Sequence, residues 1–280
     1  MNTQILVGDC REKLRTLPEC SVNCCVTSPP YYELRDYEHA DQIGLEKTPA
    51  AFVRELVGVF SEVRRALTDD GTLWINIGDT FYSGNGQPTG KDTRSPSRNF
   101  SRRHKRFVDT PGMGLPKKSL IGVPWLLAHA LQADGWTLRA EVIWYRKSAF
   151  IEAGVRDRPT RRHETVFLLS KSRRYFYDRP SVAHGTVWEF EHQRGLRGHN
   201  AAYPVELPAR CIESSCPEGG VVLDPFFGAG TTGLAAQRLG RSCIGIEVNP
   251  EFADIARERI GADAPLFAAN DNHTAVHRAA

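Results

Sequence analysis

The 280-residue chain contains no apolar run of the length that crosses a bilayer, and its first residues, Met1-Asn2-Thr3-Gln4, are not a basic region leading into a long apolar core. Neither a membrane protein nor an exported one is expected. Its seven cysteines are an odd number and include no C-x-x-C pair. Reduced core thiols are therefore expected rather than disulfides or zinc, with no metal site and a cytoplasmic location. Internal repeats and low-complexity tracts are missing too, which excludes a solenoid or a fibrous protein. Hydrophobic and charged contents of 41% and 25% are those of an ordinary globular chain, long enough for one sizeable core or two modest ones.

A strong net charge is also lacking, the formal value being only +3. The basic residues are concentrated, however. Between Gly84 and Lys118 nine Lys or Arg stand against two Asp, a local +7, so the rest of the chain sums to −4. Arg98, Arg102, Arg103, Lys105 and Arg106 bunch there around Phe100 and Phe107, in a segment dominated by Gly, Pro, Ser, Asn and Arg. A loop of this length is either a solvated insertion or a nucleic-acid clamp whose cations neutralise phosphates and whose phenylalanines stack. A second basic loop runs from Arg156 to Arg162 and includes Arg161.

Strands are expected at 4–8, 22–26, 72–77, 138–145, 163–169, 221–224 and 242–246, seven in all. Thr48-Pro49 caps a helix carrying Phe52, Leu56, Phe60, Val63 and Leu67 at helical spacing. Further helices are expected over 11–17, 124–131, 204–214 and after the glycines that follow Asp224. Residues 171–177 read as a basic, aromatic hairpin or edge, 179–198 show no clear period, and 262–280 are expected to fray.

The strand at 22–26 runs into Thr27-Ser28-Pro29-Pro30-Tyr31-Tyr32. Two prolines fix φ and remove two donors, and the first pushes Ser28 out of the helical region. Acceptors remain: the Ser28 hydroxyl and the Pro29 carbonyl, beside the flat faces of Tyr31 and Tyr32. Such a loop suits a planar ring with an exocyclic amine, cytosine or adenine, once the base has left its duplex.

The strand at 221–224 ends in Asp224 and enters Pro225-Phe226-Phe227-Gly228-Ala229-Gly230-Thr231-Thr232-Gly233, a G-x-G-x-x-G turn opening a helix, and the next strand ends in Glu247 at the distance that reaches a ribose. This reads as a nucleoside-cofactor site. Asp224 would repel a pyrophosphate and welcome the ammonium of S-adenosyl-L-methionine, so that cofactor is preferred over a dinucleotide. Only one strand follows the glycines, so the sheet must take its other strands from earlier residues: the domain reads as circularly permuted. If the glycine strand lies beside the 22–26 strand, both loops stand at one switch point and a methyl donor faces an amino acceptor.

These two motifs in this order resemble the DNA amino-methyltransferases of the β arrangement, in which the catalytic motif precedes the cofactor motif. Gly8-Asp9, Gly78-Asp79, Trp136 to Lys147, His163 to Lys171 and His199-Asn200-Ala201-Ala202-Tyr203-Pro204 extend the likeness over nearly the whole chain. The resemblance implies an α/β, Rossmann-like fold with a seven-stranded, mostly parallel, circularly permuted sheet plus basic DNA-binding loops. It implies that Ser28 and Pro29, backed by Pro30, accept from the amine and that Tyr31 stacks on the base. Asp224, Phe226, Gly228, Gly230, Thr231 and Glu247 would hold the donor, with Asp9 near its adenine and Asn200 and Pro204 at its methionine end. Arg161, Arg162 and the five cations at 98–106 would meet double-stranded DNA. Serine before Pro-Pro-Tyr is usual for cytosine N4 enzymes of that family, and N6-adenine is the alternative.

The segments so expected are a catalytic half at 1–83, a DNA-contacting insertion at 84–118, further strands at 119–178, a short target-recognition segment at 179–198, a cofactor half at 199–261 and a tail at 262–280. The recognition segment is short for the family, so target specificity would be shared with the 84–118 loop or a partner. A homodimer and a cognate restriction nuclease are compatible with the resemblance, as is a bacterial cytoplasm or nucleoid. The rival readings are a nicotinamide dehydrogenase, a non-enzymatic nucleic-acid binder and an RNA or protein methyltransferase.

Overall fold

The computed structural model describes residues 2–34, 39, 42–83, 112–147, 155–190 and 203–276, with side chains of the last helix described through residue 263. Eight strands form one sheet in the order β1-β8-β7-β2-β3-β5-β4-β6. They are β1 (Thr3–Val7), β2 (Val22–Thr27), β3 (Leu67–Ile77), β4 (Thr137–Arg146), β5 (His163–Ser170), β6 (Val187–Phe190), β7 (Val221–Asp224) and β8 (Ser242–Glu247). Only β5 runs against the rest, paired antiparallel to both β3 and β4. The sheet is mostly parallel as expected, but it has eight strands rather than seven.

The extra strand is β6, inside the segment that shows no clear period. Its four residues alternate exposed and buried with no flanking turn motif to mark them, and Trp188 and Phe190 supply the buried pair. A 3-10 helix, Arg179–His184, precedes it. Residues 171–177 are not a hairpin. Ser172 Oγ donates to the Asp69 carbonyl at 2.6 Å and the Phe176 amide to the Asp70 carbonyl at 3.0 Å, so the segment lies along the start of β3.

Among the described residues six α-helices cover the two faces: α1 (Cys10–Arg15), α2 (Pro49–Ala66), α3 (Val123–Ala133), α4 (Glu206–Ser215), α5 (Thr231–Arg238) and α6 (Pro250–Val276). Thr48 caps α2 by accepting from the Ala51 amide at 3.1 Å, and Phe52, Leu56, Phe60 and Val63 are buried as their spacing requires. Leu67, the last member of that apolar series, leaves the helix in an extended conformation and begins β3. Helices α1 to α3 pack on one face with Cys25, Leu73, Ile75 and Phe167 of the sheet. Helices α4 to α6 pack on the other with Cys24, Val26, Trp74 and Val222. Alternate residues of the buried strands thus feed two apolar layers, which is why those strands read as nearly continuous hydrophobic runs. Helix α6 continues through Val276, well into the stretch expected to fray. Among the described residues no helix is long and apolar enough to cross a membrane.

The glycine-turn strand β7 lies directly beside β2, with Cys24 opposite Val222 and Cys25 opposite Leu223. From that boundary the chain crosses over through α2 to β3 in one direction and through α5 to β8 in the other, on opposite faces. The loops leaving β2 and β7 therefore diverge and leave a crevice at the carboxyl edge of the sheet.

Candidate functional site

One cavity of about 310 Å³ follows this carboxyl edge across seven strands. Asp9 enters it after β1, Glu247 from the end of β8, and Phe226 and Gly228 from the turn after β7. Ser28, Pro29, Pro30 and Tyr31 follow β2, and Asn76, Glu164 and Arg146 come from the ends of β3, β5 and β4 that meet this edge. Neighbouring strands lie about 4.8 Å apart, so β1 and β4 are separated by roughly 29 Å across six steps. The groove has two halves, one under β1, β8 and β7 and one under β2, β3, β5 and β4.

In the first half Glu247, 7% exposed, accepts the Gly228 amide on Oε2 at 2.7 Å and the Asn249 amide on Oε1 at 2.9 Å. Burial raises its carboxyl above the ordinary glutamate value despite these two amides. The register Val7 opposite Glu247 brings Asp9 alongside. Burial acts to raise the Asp9 carboxyl, but Arg11, bonded to both of its oxygens, outweighs that and holds it below its usual range. Gly228 and Gly230 have positive φ, +52° and +76°, which gives the turn its tightness, and a Cβ on Gly233 would lie 2.6 Å from the Phe227 ring. The third glycine is therefore present for close packing.

Two carboxylates, bare glycine backbone and the apolar Phe226, Ile246 and Phe252 line this half, and among the described lining residues the sole Lys or Arg is Arg146, at the far end. A pyrophosphate would meet two carboxylates there, of which Asp9 is paired with Arg11 and Glu247 with backbone amides alone. A nucleoside whose ribose hydroxyls donate to a carboxylate, and whose tail is cationic, fits this donor and acceptor set.

Asp224 is placed differently from the expectation. It is 1% exposed and does not line the cavity. Its Oδ1 accepts from Thr27 Oγ1 at 2.6 Å and the Phe226 amide at 3.0 Å, and its Oδ2 accepts from Thr232 Oγ1 at 2.6 Å and Tyr203 OH at 3.4 Å. Three close donors, Thr27, Thr232 and the Phe226 amide, occupy the carboxylate, and Tyr203, whose hydroxyl is bonded to Thr232 Oγ1, stands behind them, so Asp224 ties the β2 and β7 loops together. Gly230 and Thr231 sit buried at the start of α5, where Thr231 touches the cavity and Gly230 does not. Pro204 is buried beside Tyr203, and it is Tyr203 that lines the cavity. Asn200 lies outside the described residues.

In the second half the Ser28-Pro29-Pro30 loop forms the wall nearest the glycine turn. Of the two tyrosines only Tyr31 faces the cavity. Tyr32 is 1% exposed and packs on Phe52, with ring centroids 5.4 Å apart, because the chain turns at this point, the Leu34 amide donating to the Tyr31 carbonyl at 3.1 Å. Tyr31 donates its hydroxyl to Glu164 Oε2 and accepts from Asn76 Nδ2 at 2.7 Å. Sequence reasoning missed Asn76, Glu164 and Arg146. The thiols close by are inert: burial raises Cys24 to about 11 and Cys25 well above its ordinary value, and burial with the Asp9 charge takes Cys10 to about 12.

Arg161 and Arg162 lie at the same edge. Arg161 donates to the Asp79 carbonyl at 3.1 Å, and Asp79 in turn accepts the Gly122 and Val123 amides at the start of α3. Arg162 is exposed, with its guanidinium 5.0 Å from the Tyr145 ring centroid. Arg98, Arg102, Arg103, Lys105 and Arg106 lie outside the described residues.

An open α/β sheet with a nucleoside site at its switch point, beside a second pocket lined by a rigid acceptor loop, defines a group-transfer class rather than a single protein. The DNA methylase family model matches residues 22–258, and the chain belongs to that family. It is 47% identical over 263 residues to the type II methyltransferase M.Cfr9I of Citrobacter freundii, covering 90% of this chain and 86% of that protein. To the type II methyltransferase M.SmaI of Serratia marcescens it is 45% identical over 269 residues, covering 92% and 90%. Among solved structures, the PvuII DNA methyltransferase (cytosine-N4-specific) shares the fold, with TM-score 0.68, 20% identity and coverage of 91% of this chain and 85% of that one. TTHA0409, a putative DNA modification methylase of Thermus thermophilus solved with S-adenosyl-L-methionine, gives TM-score 0.64, 25% identity and coverage of 94% and 95%.

Proposed function

We propose that this chain transfers a methyl group from S-adenosyl-L-methionine to the exocyclic N4 of a cytosine flipped out of duplex DNA. One observation carries the proposal: the Ser28-Pro29 acceptors and the Glu247-Gly228 nucleoside site line a single cavity from adjacent strand ends. Glu247 and the Gly228 turn hold the ribose, Asp9 stands at the outer end, and the donor supplies an electrophilic methyl on sulfonium. In the other half the Ser28 hydroxyl and the Pro29 carbonyl accept the two amine hydrogens, and Tyr31 stacks on the base. Holding both hydrogens concentrates the nitrogen lone pair on the side facing the methyl; as the N–C bond would form the sulfonium S–C bond would break to leave a thioether, the surplus amine proton would pass by way of the Ser28 hydroxyl to water, and orientation lowers the barrier without a covalent enzyme intermediate. The protonated, buried thiols agree with direct transfer.

The choice of cytosine rests on Ser28, a neutral group where an acidic residue could stand, and on the family habit attached to it; N6-adenine is the second reading. Arg162 and the cations at 98–106 contact DNA phosphates, and the names of the relatives support a cognate restriction nuclease as a partner. Transfer of labelled methyl to duplex DNA, RNA and protein in parallel tests the substrate class. Label in RNA or protein alone would overturn the DNA reading.

A further inference from the structure

The Tyr31 ring is held from the far side of the cavity by residues distant in sequence. The register explains their meeting. Asn76 lies opposite Val166 across β3 and β5, Glu164 is two residues before Val166, Trp144 lies opposite Glu164 across β5 and β4, and Arg146 is two residues beyond Trp144. A period of two puts Asn76, Glu164 and Arg146 on one face of the sheet at the cavity edge. Glu164 Oε2 accepts from the Tyr31 hydroxyl and from Asn76 Nδ2, the latter at 3.0 Å, while Oε1 receives Arg146 Nη1 at 3.3 Å. Arg146 is itself tied to the Arg161 carbonyl at 3.2 Å. The ring edge rests on Gly78, where an added Cβ would lie 2.5 Å from Tyr31 Cε2.

We propose that Glu164 is a positioning residue for the acceptor base, fixing through the Tyr31 hydroxyl the plane of the ring on which the base stacks. The inference rests on the reading of Tyr31 as the stacking residue. Contact with Gly78 sets the position of one ring edge, and the hydroxyl sets the tilt through Glu164, which also holds the Asn76 amide that donates to the phenol at 2.7 Å; without the carboxylate both holds loosen, the ring swings and the amine moves off the line to the methyl. Burial and the Glu164 charge raise the Tyr31 phenol well above its ordinary value, so it remains a donor throughout the working pH range.

The test is steady-state methyl transfer to unmethylated duplex DNA by Glu164→Ala, Glu164→Gln, Tyr31→Phe, Tyr31→Ala and the double variant Tyr31→Phe/Glu164→Ala. The account expects Tyr31→Phe and Glu164→Ala each to lower kcat by about tenfold or more with KM for S-adenosyl-L-methionine unchanged. The double variant should be no slower than either single one, and Glu164→Gln, whose amide oxygen still accepts from the phenol, should recover most of the rate. Losses that multiply in the double variant would overturn it. Wild-type kcat in Tyr31→Phe together with a large loss in Tyr31→Ala would also overturn it while leaving the stacking role intact, and this comparison decides even if Glu164→Ala does not fold. Full activity in Tyr31→Ala would instead remove the stacking role on which the inference rests.

Discussion

Thr27 and Asp224, 197 residues apart in the chain, are joined by a 2.6 Å hydrogen bond from the threonine hydroxyl to the buried carboxylate. The bond crosses from β2 to β7, the boundary at which the two loops diverge, and fixes the Ser28-Pro29-Pro30 loop one residue before Ser28.

Asp224→Ala strands the Thr27 hydroxyl and the Phe226 amide, while Thr232 keeps Tyr203 as a partner, so it is expected to cost about 2–4 kcal/mol of stability, with donor affinity falling in step as the turn loosens. Thermal melting and calorimetry check this together. Unchanged melting with lost donor binding would show that Asp224 acts on the ligand and not on the fold.

Glu247 predicts a pH dependence. Burial raises its folded-state carboxyl above the ordinary value of 4.5, so protonation on acidification begins at higher pH than for an exposed glutamate. Donor affinity should therefore fall as pH drops through that raised value, and Glu247→Gln should abolish the step. For folding the sign is reversed. A raised folded-state value means that the folded chain binds more protons in this window, so stability contributed by protonated Glu247 is lost as pH rises through it. Isothermal titration across the acidic range, paired with melts, separates the two.

The acceptor loop gives a kinetic prediction. Ser28→Ala should lower kcat by about a hundredfold while leaving the donor dissociation constant unchanged, since the hydroxyl faces the acceptor half. Gly78→Ala should lower kcat as well, by pushing the Tyr31 ring aside. Full turnover in Ser28→Ala would remove the hydroxyl from the mechanism whichever base is modified.

The arginines separate by role. Arg161→Ala should lower the melting temperature, because its guanidinium holds the Asp79 carbonyl beside the start of α3. Arg162→Ala should leave melting unchanged and weaken DNA binding. Neutralising Arg102, Arg103, Lys105 and Arg106 should flatten the log–log salt dependence of DNA affinity by roughly one unit for each phosphate that is no longer neutralised. An unchanged slope would make the 98–106 cluster a solvated insertion.

The elements legible in the sequence were those whose signals are local. Proline after Thr48 and the apolar spacing to Val63 mark α2, and Pro-Pro after β2 and the glycines after β7 mark the two loops, while the adjacency of β7 and β2 is shown by their pairing. What escaped is non-local or short. The strand β6 is as short as β7 but lacks both the apolar run and the glycine turn that mark β7. The meeting of Tyr31 with Glu164, 133 residues on, depends on the register of β3, β5 and β4, which no spacing in the chain reveals. Asp224 is a related case. A carboxylate ending a strand before a glycine turn reads as a ligand contact, and only the positions of Thr27, Thr232 and Tyr203 show that the fold consumes it.

Nucleoside analysis of duplex DNA after incubation with labelled S-adenosyl-L-methionine tests amino methylation of cytosine in one step. Label is expected in N4-methylcytosine and should be absent when Ser28 is replaced by alanine; label in N6-methyladenine alone would rule cytosine out as the acceptor.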